Sequence, residues 1–266
     1  MPTMVAKSNG VKAKKHRGQH YLEDPSVAER IATAIGTDDP QACILEIGPG
    51  TGALTRPLVQ RFGVQVLALD VDDESVQFLQ QQDWLPEGSV QHGDFLRMPL
   101  SDLETPGPLV VAGNFPYNIS SQILFKFLDW KDRGTELVGM FQKEVAERVC
   151  AAHGSKTYGI LSVLIQVYYE AEYLFTVPPH VFNPPPKVNS GVLRLRRREE
   201  WPEDVAYADL KRLTKAAFNQ RRKTLRNSLR AGGYAIDGID EATLKLRPEQ
   251  LSPEAFVNLT RQLTAL

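Results

Sequence analysis

No apolar run in this sequence approaches the roughly 20 residues that a membrane-spanning helix needs, and cysteine occurs only twice in 266 residues. The first absence argues against a transmembrane helix and a membrane partner. The second leaves Cys43 and Cys150, each inside an apolar pattern, as reduced structural thiols and not as a disulfide framework. The five histidines, His16, His20, His92, His153 and His180, show no metal-ligand spacing, and neither cysteine is placed with one as a nucleophile needs. Metal chemistry and covalent catalysis are therefore not expected. Internal repeats and low-complexity tracts are also missing. The basic amino-terminal stretch has no apolar segment after it, so a cytoplasmic chain is expected. Acidic residues are absent in two places: from Met1 to Leu22, and between Lys211 and Arg230, where eight lysines and arginines fall.

What is present suits one α/β core with a small appendage. The chain is 42% hydrophobic and 24% charged, with a net charge of −1, so any polyanion contact rests on local gathering of basic residues and not on total charge. Residues 1–22 read as a basic arm. Asp24-Pro25 is a helix start, with the apolar stripe of Val27, Ile31 and Ile35 ending at Gly36. Strand-like and helical stretches then alternate: strand Cys43 to Ile47, a helix from about Ala53, strand Val64 to Val71, helix Glu74 to Gln82, strands Ser89 to His92 and Leu109 to Ala112, helix Ser120 to Trp130, strand Leu137 to Phe141, helix Lys143 to Ala152. Such alternation specifies a mostly parallel sheet wrapped by helices. A helical run Gly159 to Tyr169, strand Tyr173 to Val177, the prolines Pro184 to Pro186 and strand Gly191 to Leu195 close the domain, expected to span 23–198. Residues 199–266 read as a small all-helical domain.

The stretch Glu46-Ile47-Gly48-Pro49-Gly50-Thr51-Gly52 falls where a buried strand gives way to a helix, so its glycines let backbone approach a ligand at the carboxyl edge of the sheet. Its spacing differs from the dinucleotide fingerprint, and Glu46 has the wrong charge for a pyrophosphate. A carboxylate there suits a ligand carrying an amine and a sulfonium, which points to S-adenosylmethionine over NAD. Asp70 ends the next strand 18 positions after Gly52, where Rossmann-like folds place a carboxylate on ribose hydroxyls. Gly93-Asp94-Phe95 follows the third strand and offers a carboxylate and a ring to an adenine.

Asn114-Phe115-Pro116-Tyr117 follows a fourth strand and so shares that edge. The exocyclic amine of adenine is a poor nucleophile because its lone pair is delocalised into the ring. A methylating enzyme must hold its hydrogens with acceptors that favour a pyramidal nitrogen. Asn114 offers its side-chain oxygen and Phe115 its main-chain carbonyl. Pro116 fixes the chain direction, and Tyr117 supplies a face for an extruded base. The rigid segment Phe182-Asn183-Pro184-Pro185-Pro186-Lys187-Val188 is expected to bring Phe182 over the opposite face. Transfer is then an in-line displacement, catalysed mostly by positioning.

Together these motifs, with Gly18-Gln19-His20-Tyr21-Leu22, Gln142 to Ala146, Phe182 to Ser190 and Phe218 to Arg226, resemble the KsgA-type small-subunit (16S) ribosomal RNA adenine dimethyltransferase family. The likeness runs from about Lys14 to the C terminus. It implies a Rossmann-like class I methyltransferase fold with a helical C-terminal domain. It also implies S-adenosylmethionine as cofactor, and methylation of two adjacent adenosines in the 3′-terminal hairpin of 16S rRNA late in small ribosomal subunit assembly. A monomer is expected. Gln19, His20, Leu22, Glu46, Gly48, Gly50, Asp70, Val71, Asp94, Phe95 and Asn114 are the implied cofactor contacts; Asn114 to Tyr117 and Phe182 hold the base. Lys14, Lys15, Arg17, Arg221, Arg222 and Lys223 are expected on RNA phosphates, the last three on a helix. The chain departs from the family at Tyr21 (phenylalanine is usual), Asp70 (glutamate is commoner) and Phe115 (leucine is commoner). Asp70 has the shorter reach to ribose, and Phe115 is expected to tighten the space for a second methyl group. A 23S rRNA or DNA adenine methyltransferase, and a non-catalytic ribosome assembly factor, are the alternatives; Pro49, Thr51 and Gln142 to Ala146 favour the small-subunit enzymes.

Overall fold

Residues 14, 18–103, 105, 107–220 and 222–264 are described by the computed structural model. The chain enters through a short strand β1 (Tyr21–Leu22) and helix α1 (Pro25–Ala34). Asp24 caps α1 by accepting the Ser26 amide at 2.9 Å, and Val27, Ala28, Ile31 and Ala32 form its buried stripe. Gly36, just past the helix, donates its amide to both carboxylate oxygens of the buried Glu136 at 2.9 and 3.1 Å.

Alternation follows: β2 (Cys43–Ile47), α2 (Thr55–Phe62), β3 (Val66–Asp70), α3 (Asp73–Gln80), β4 (Val90–His92), β5 (Leu109–Asn114), α4 (Ser120–Asp129), β6 (Gly134–Gln142) and α5 (Lys143–Val149). Then come α6 (Ile160–Tyr168), β7 (Tyr169–Val177), β8 (Phe182–Asn183) and β9 (Ser190–Arg197). The seven-stranded sheet has the order β4-β3-β2-β5-β6-β9-β7. Neighbours from β4 to β6 are parallel, and β9 runs antiparallel to β6. Strand β2 is buried along its whole length, as a strand covered on both faces must be. It pairs with β3 on one side and β5 on the other, so the strand order reverses there and a crevice opens at the carboxyl ends. The expected Rossmann-like, mostly parallel fold is the observed one.

The chain divides into two compact units, one of the described residues up to Ala146 with Glu172–Arg196, the other of Glu147–Ala171 with the described residues from Arg197. The second unit contains α7 (Tyr207–Phe218), α8 (Leu225–Ala231), α9 (Glu241–Lys245) and α10 (Pro253–Thr264). Here the structure departs from the sequence reading, which keeps 147–171 inside the catalytic domain. The reason is α6: it carries no charge, is buried on nearly every side, and packs against α7 and α10. The rings of Phe218 and Phe256 stack at 5.8 Å in the same core. Strand β7 also starts earlier than expected, at Tyr169.

Candidate active site

A cavity of about 290 Å³ lies at the carboxyl ends of β2, β3, β4 and β5. Gly48 and Gly50 form one wall, both with positive φ (69° and 56°). A Cβ on Gly48 meets nothing within 4 Å, so bare backbone faces the space; one on Gly50 lies 2.7 Å from the Tyr21 ring. The glycine turn is thus cut to the shape of a ligand on one side and of Tyr21 on the other.

Asp70 ends β3 and holds this turn from below. One carboxylate oxygen accepts the Gly50 amide at 3.2 Å and the other the Asp72 amide at 2.9 Å. Those bonds fix the carboxylate at the cavity wall. Asp94 accepts the Leu96 amide at 2.9 Å, with Arg97 at 3.3 Å from its other oxygen. Phe95 is buried edge-on against Trp130 at 4.9 Å. Val71 is 42% exposed on the same wall. Among the described residues lining the cavity, Asp70 and Asp94 are the only acids, and neither lysine nor arginine is present. An apolar cleft with two carboxylates rejects a pyrophosphate and accepts a nucleoside that carries ammonium and sulfonium charge.

Glu46 is placed differently from expectation. It is 1% exposed, lies behind the cavity wall and not on it, and its Oε2 has no hydrogen-bond partner among the described residues. Burial pushes its pKa up to about 8; the nearby Thr55 hydroxyl offsets part of the rise and the Asp70 carboxylate adds to it. Leu22 is likewise core and not cavity, because the β1 register sets it against Phe182.

The Asn114 side of the cavity is built on the end of β5. Asn114 is its last residue, and its Nδ2 donates to the main-chain carbonyl of His20 at 2.8 Å. That bond orients the amide so that Oδ1 remains as an acceptor. The Phe115 amide donates to the Met140 carbonyl at 3.1 Å. After Pro116 the chain turns, and the Tyr117 hydroxyl lies 2.5 Å from Ser190 Oγ. Burial raises the Tyr117 pKa, with the Ser190 hydroxyl opposing, so the phenol stays protonated. The His20 ring sits beside Tyr117, centroids 5.5 Å apart, and its Nδ1 lies 2.7 Å from the Pro184 carbonyl. Since a carbonyl only accepts, that nitrogen carries the proton.

Four placements differ from those read in the sequence. Phe115 lines the cavity, but its ring is 1% exposed and is packed into the core beside Gly113 and Gly139, against Phe141 at 4.8 Å. Phe182 is 3% exposed within the hydrophobic core and does not line the cavity, so it does not face Tyr117 across a base. A stiff proline segment is expected to project it; instead β8 pairs with β1 and draws the ring inward. Lys14 forms an ion pair with the buried Asp72 and lies 3.5 Å from Glu74, so its charge is already met. Arg222 and Lys223 are exposed in the turn between α7 and α8 and not on a helix, which ends at Phe218. Lys15, Arg17 and Arg221 lie outside the described residues. Gln19, His20 and Tyr21 form a cavity wall, where the charge pattern suggests an arm. Ser190 escaped the sequence reading, since a lone serine in a matched motif carries no chemical signal of its own.

The sheet order and the cleft lined by two carboxylates are those of a class I methyltransferase that uses S-adenosylmethionine. Residues 10–251 match the family described as Ribosomal RNA adenine dimethylase, and the chain belongs to that family. It is 46% identical over 254 residues to the Ribosomal RNA small subunit methyltransferase A of Cytophaga hutchinsonii, covering 96% of this chain and 98% of that one. It is 50% identical to the protein of the same name from Bacteroides fragilis, over 95% and 93% of the two chains. The crystal structure of a dimethyladenosine transferase from Plasmodium falciparum shares the fold, with a TM-score of 0.73 at 24% identity over 92% of this chain and 98% of that one.

Proposed function

We propose that this enzyme transfers methyl groups from S-adenosylmethionine to the exocyclic amines of two adjacent adenosines near the 3′ end of 16S ribosomal RNA. The observation that carries this reading is the Asn114 amide, oriented by the His20 carbonyl so that Oδ1 is left to accept, at the edge of an acidic cleft. The near relatives bear the name of small-subunit RNA methyltransferases. Gly48, Gly50, Asp70, Val71, Asp94 and Phe95 hold the cofactor, with Gln19 and His20 covering it. When bound, S-adenosylmethionine supplies an electrophilic methyl group on a sulfonium.

Asn114 Oδ1 and the Phe115 carbonyl accept the two amine hydrogens, which turns the nitrogen lone pair out of conjugation and toward the methyl carbon. Tyr117 stacks on the base. With the amine held in this way, its nitrogen would take the methyl group that the sulfonium supplies and would then lose one proton to water, the sulfur keeping the electron pair of its bond to the methyl carbon. Four such transfers give two dimethyladenosines. Phe182 contributes by pinning β1, and with it the Gln19 to Tyr21 wall. Arg222 and Lys223 contact RNA phosphates. The reading extends to action as a monomer on the 3′-terminal hairpin in the cytoplasm.

The test is transfer of labelled methyl groups to small ribosomal subunits lacking adenine methylation, beside large subunits and duplex DNA. Label in the small-subunit RNA alone is expected. Label only in large-subunit RNA or DNA overturns the substrate, and cofactor binding without transfer to any of them overturns the activity.

A further inference from the structure

Stacking catalyses nothing unless the ring is held. A base seated for in-line transfer tolerates about 0.5 Å and 10–20° of misplacement, and a tyrosine fixed only at its Cα can swing about χ1. The Tyr117 turn is secured at its near end. The Phe115 amide is bound to Met140, Asn114 is bound to His20, and the Pro116 carbonyl accepts both the Ile119 amide at 3.2 Å and the Ser120 hydroxyl at 3.1 Å. None of these holds the far end of the ring.

That end meets Ser190, 73 residues away in the chain, at 2.5 Å. Ser190 is wholly buried and opens β9, opposite Gln142 of β6. The next residue, Gly191, has no room for a side chain, because a Cβ there falls 2.7 Å from Tyr173 and 3.0 Å from Ala146. The serine hydroxyl therefore sits on a close-packed strand of the central sheet and is not free to follow the ring. The segment that carries it also places Asn189, whose carbonyl accepts the Lys143 amide at 3.0 Å.

We propose that Ser190 is a positioning residue for methyl transfer, its hydroxyl holding the Tyr117 ring in the plane on which the target adenine stacks. This rests on Tyr117 being the stacking face. Ser190 does not line the cavity, so its route to the reaction is through Tyr117. The bond runs from the antiparallel strand to the base-gripping turn, so the strand order itself sets the angle of the ring.

The test is a double-mutant cycle with Ser190→Ala, Tyr117→Phe and the double variant, assayed for methyl transfer to small ribosomal subunits. Cofactor affinity by calorimetry and thermal stability are followed alongside. Each single variant is expected to lose roughly five- to twenty-fold in kcat, short of the roughly 100-fold that a 1 Å misplacement of a reacting group can cost, with cofactor affinity within about twofold. The double variant should be no worse than the poorer single, because both remove one bond. Ser190→Cys, nearly the same size but a weak hydrogen-bonding group, should behave as Ser190→Ala and separates loss of the bond from a cavity in the strand. Losses that multiply in the double variant, or that track falling cofactor affinity or stability, overturn the proposal. Tyr117→Ala distinguishes the two readings. Full activity there removes the stacking face itself, whereas an inactive Tyr117→Ala beside fully active Ser190→Ala and Tyr117→Phe removes only the role of Ser190.

Discussion

Asn114 and His20 lie 94 residues apart and are joined by one hydrogen bond, from the Asn114 side-chain nitrogen to the His20 carbonyl at 2.8 Å. It connects the Gln19 to Tyr21 wall of the cavity to the turn that follows β5. A carbonyl can only accept, so this bond decides which way the amide faces. Asn114→Ala should therefore lower kcat about 100-fold or more, with a much smaller change in KM for RNA. Steady-state kinetics check this; a change confined to KM places Asn114 in simple binding.

Glu46 makes stability depend on pH with an unusual sign for a carboxylate. Its folded value of about 8 lies above the ordinary 4.5, so between these the folded state binds the proton and the unfolded chain does not. Stability is then present at low pH and is lost as pH rises from about 4.5 to about 8. Glu46→Gln removes the dependence. In the ligand-free protein, wild type should lose about a few kcal/mol relative to that variant between pH 5 and pH 9. Thermal melts across that range measure it, and parallel curves contradict it.

Phe115 fills space that glycines vacate. A Cβ on Gly139 falls 2.1 Å from its ring, so Gly139→Ala should cost roughly 1–3 kcal/mol through overpacking, with part regained in Gly139→Ala combined with Phe115→Leu. Because the ring faces the core, Phe115→Leu should leave the ratio of monomethyl to dimethyl product unchanged. Denaturant titration and nucleoside mass spectrometry test the two statements.

The catalytic fold was legible because its signals are local. Periodicity over Cys43 to Ile47, the glycine turn after it and Asp70 at the next strand end each needed only a few neighbouring residues to interpret. What escaped depends on pairing at a distance. The β1–β8 register buries Phe182 and Leu22, and nothing in either segment states that they meet. Charge was also misleading where it is neutralised by a remote partner: Lys14 belongs to a basic run, yet it is paired with Asp72, 58 residues away. The apolar α6 reads as part of the alternating domain, although its burial is with α7 and α10.

That difference between cations has a measurable consequence. Replacing Arg222 and Lys223 with alanine should weaken RNA binding and lower the slope of log K against log salt by about 2, one for each phosphate no longer neutralised. Lys14→Ala should leave that slope unchanged and act instead on stability through the buried Asp72. Binding isotherms at several salt concentrations separate them.

The most direct measurement of the central claim is nucleoside analysis of 16S RNA after small subunits lacking adenine methylation are incubated with the enzyme and S-adenosylmethionine. Dimethyladenosine at two adjacent positions of the 3′-terminal hairpin, absent with Asn114→Ala, is the expected result. Methylation on a different base, or dimethyladenosine formed equally well by Asn114→Ala, contradicts it.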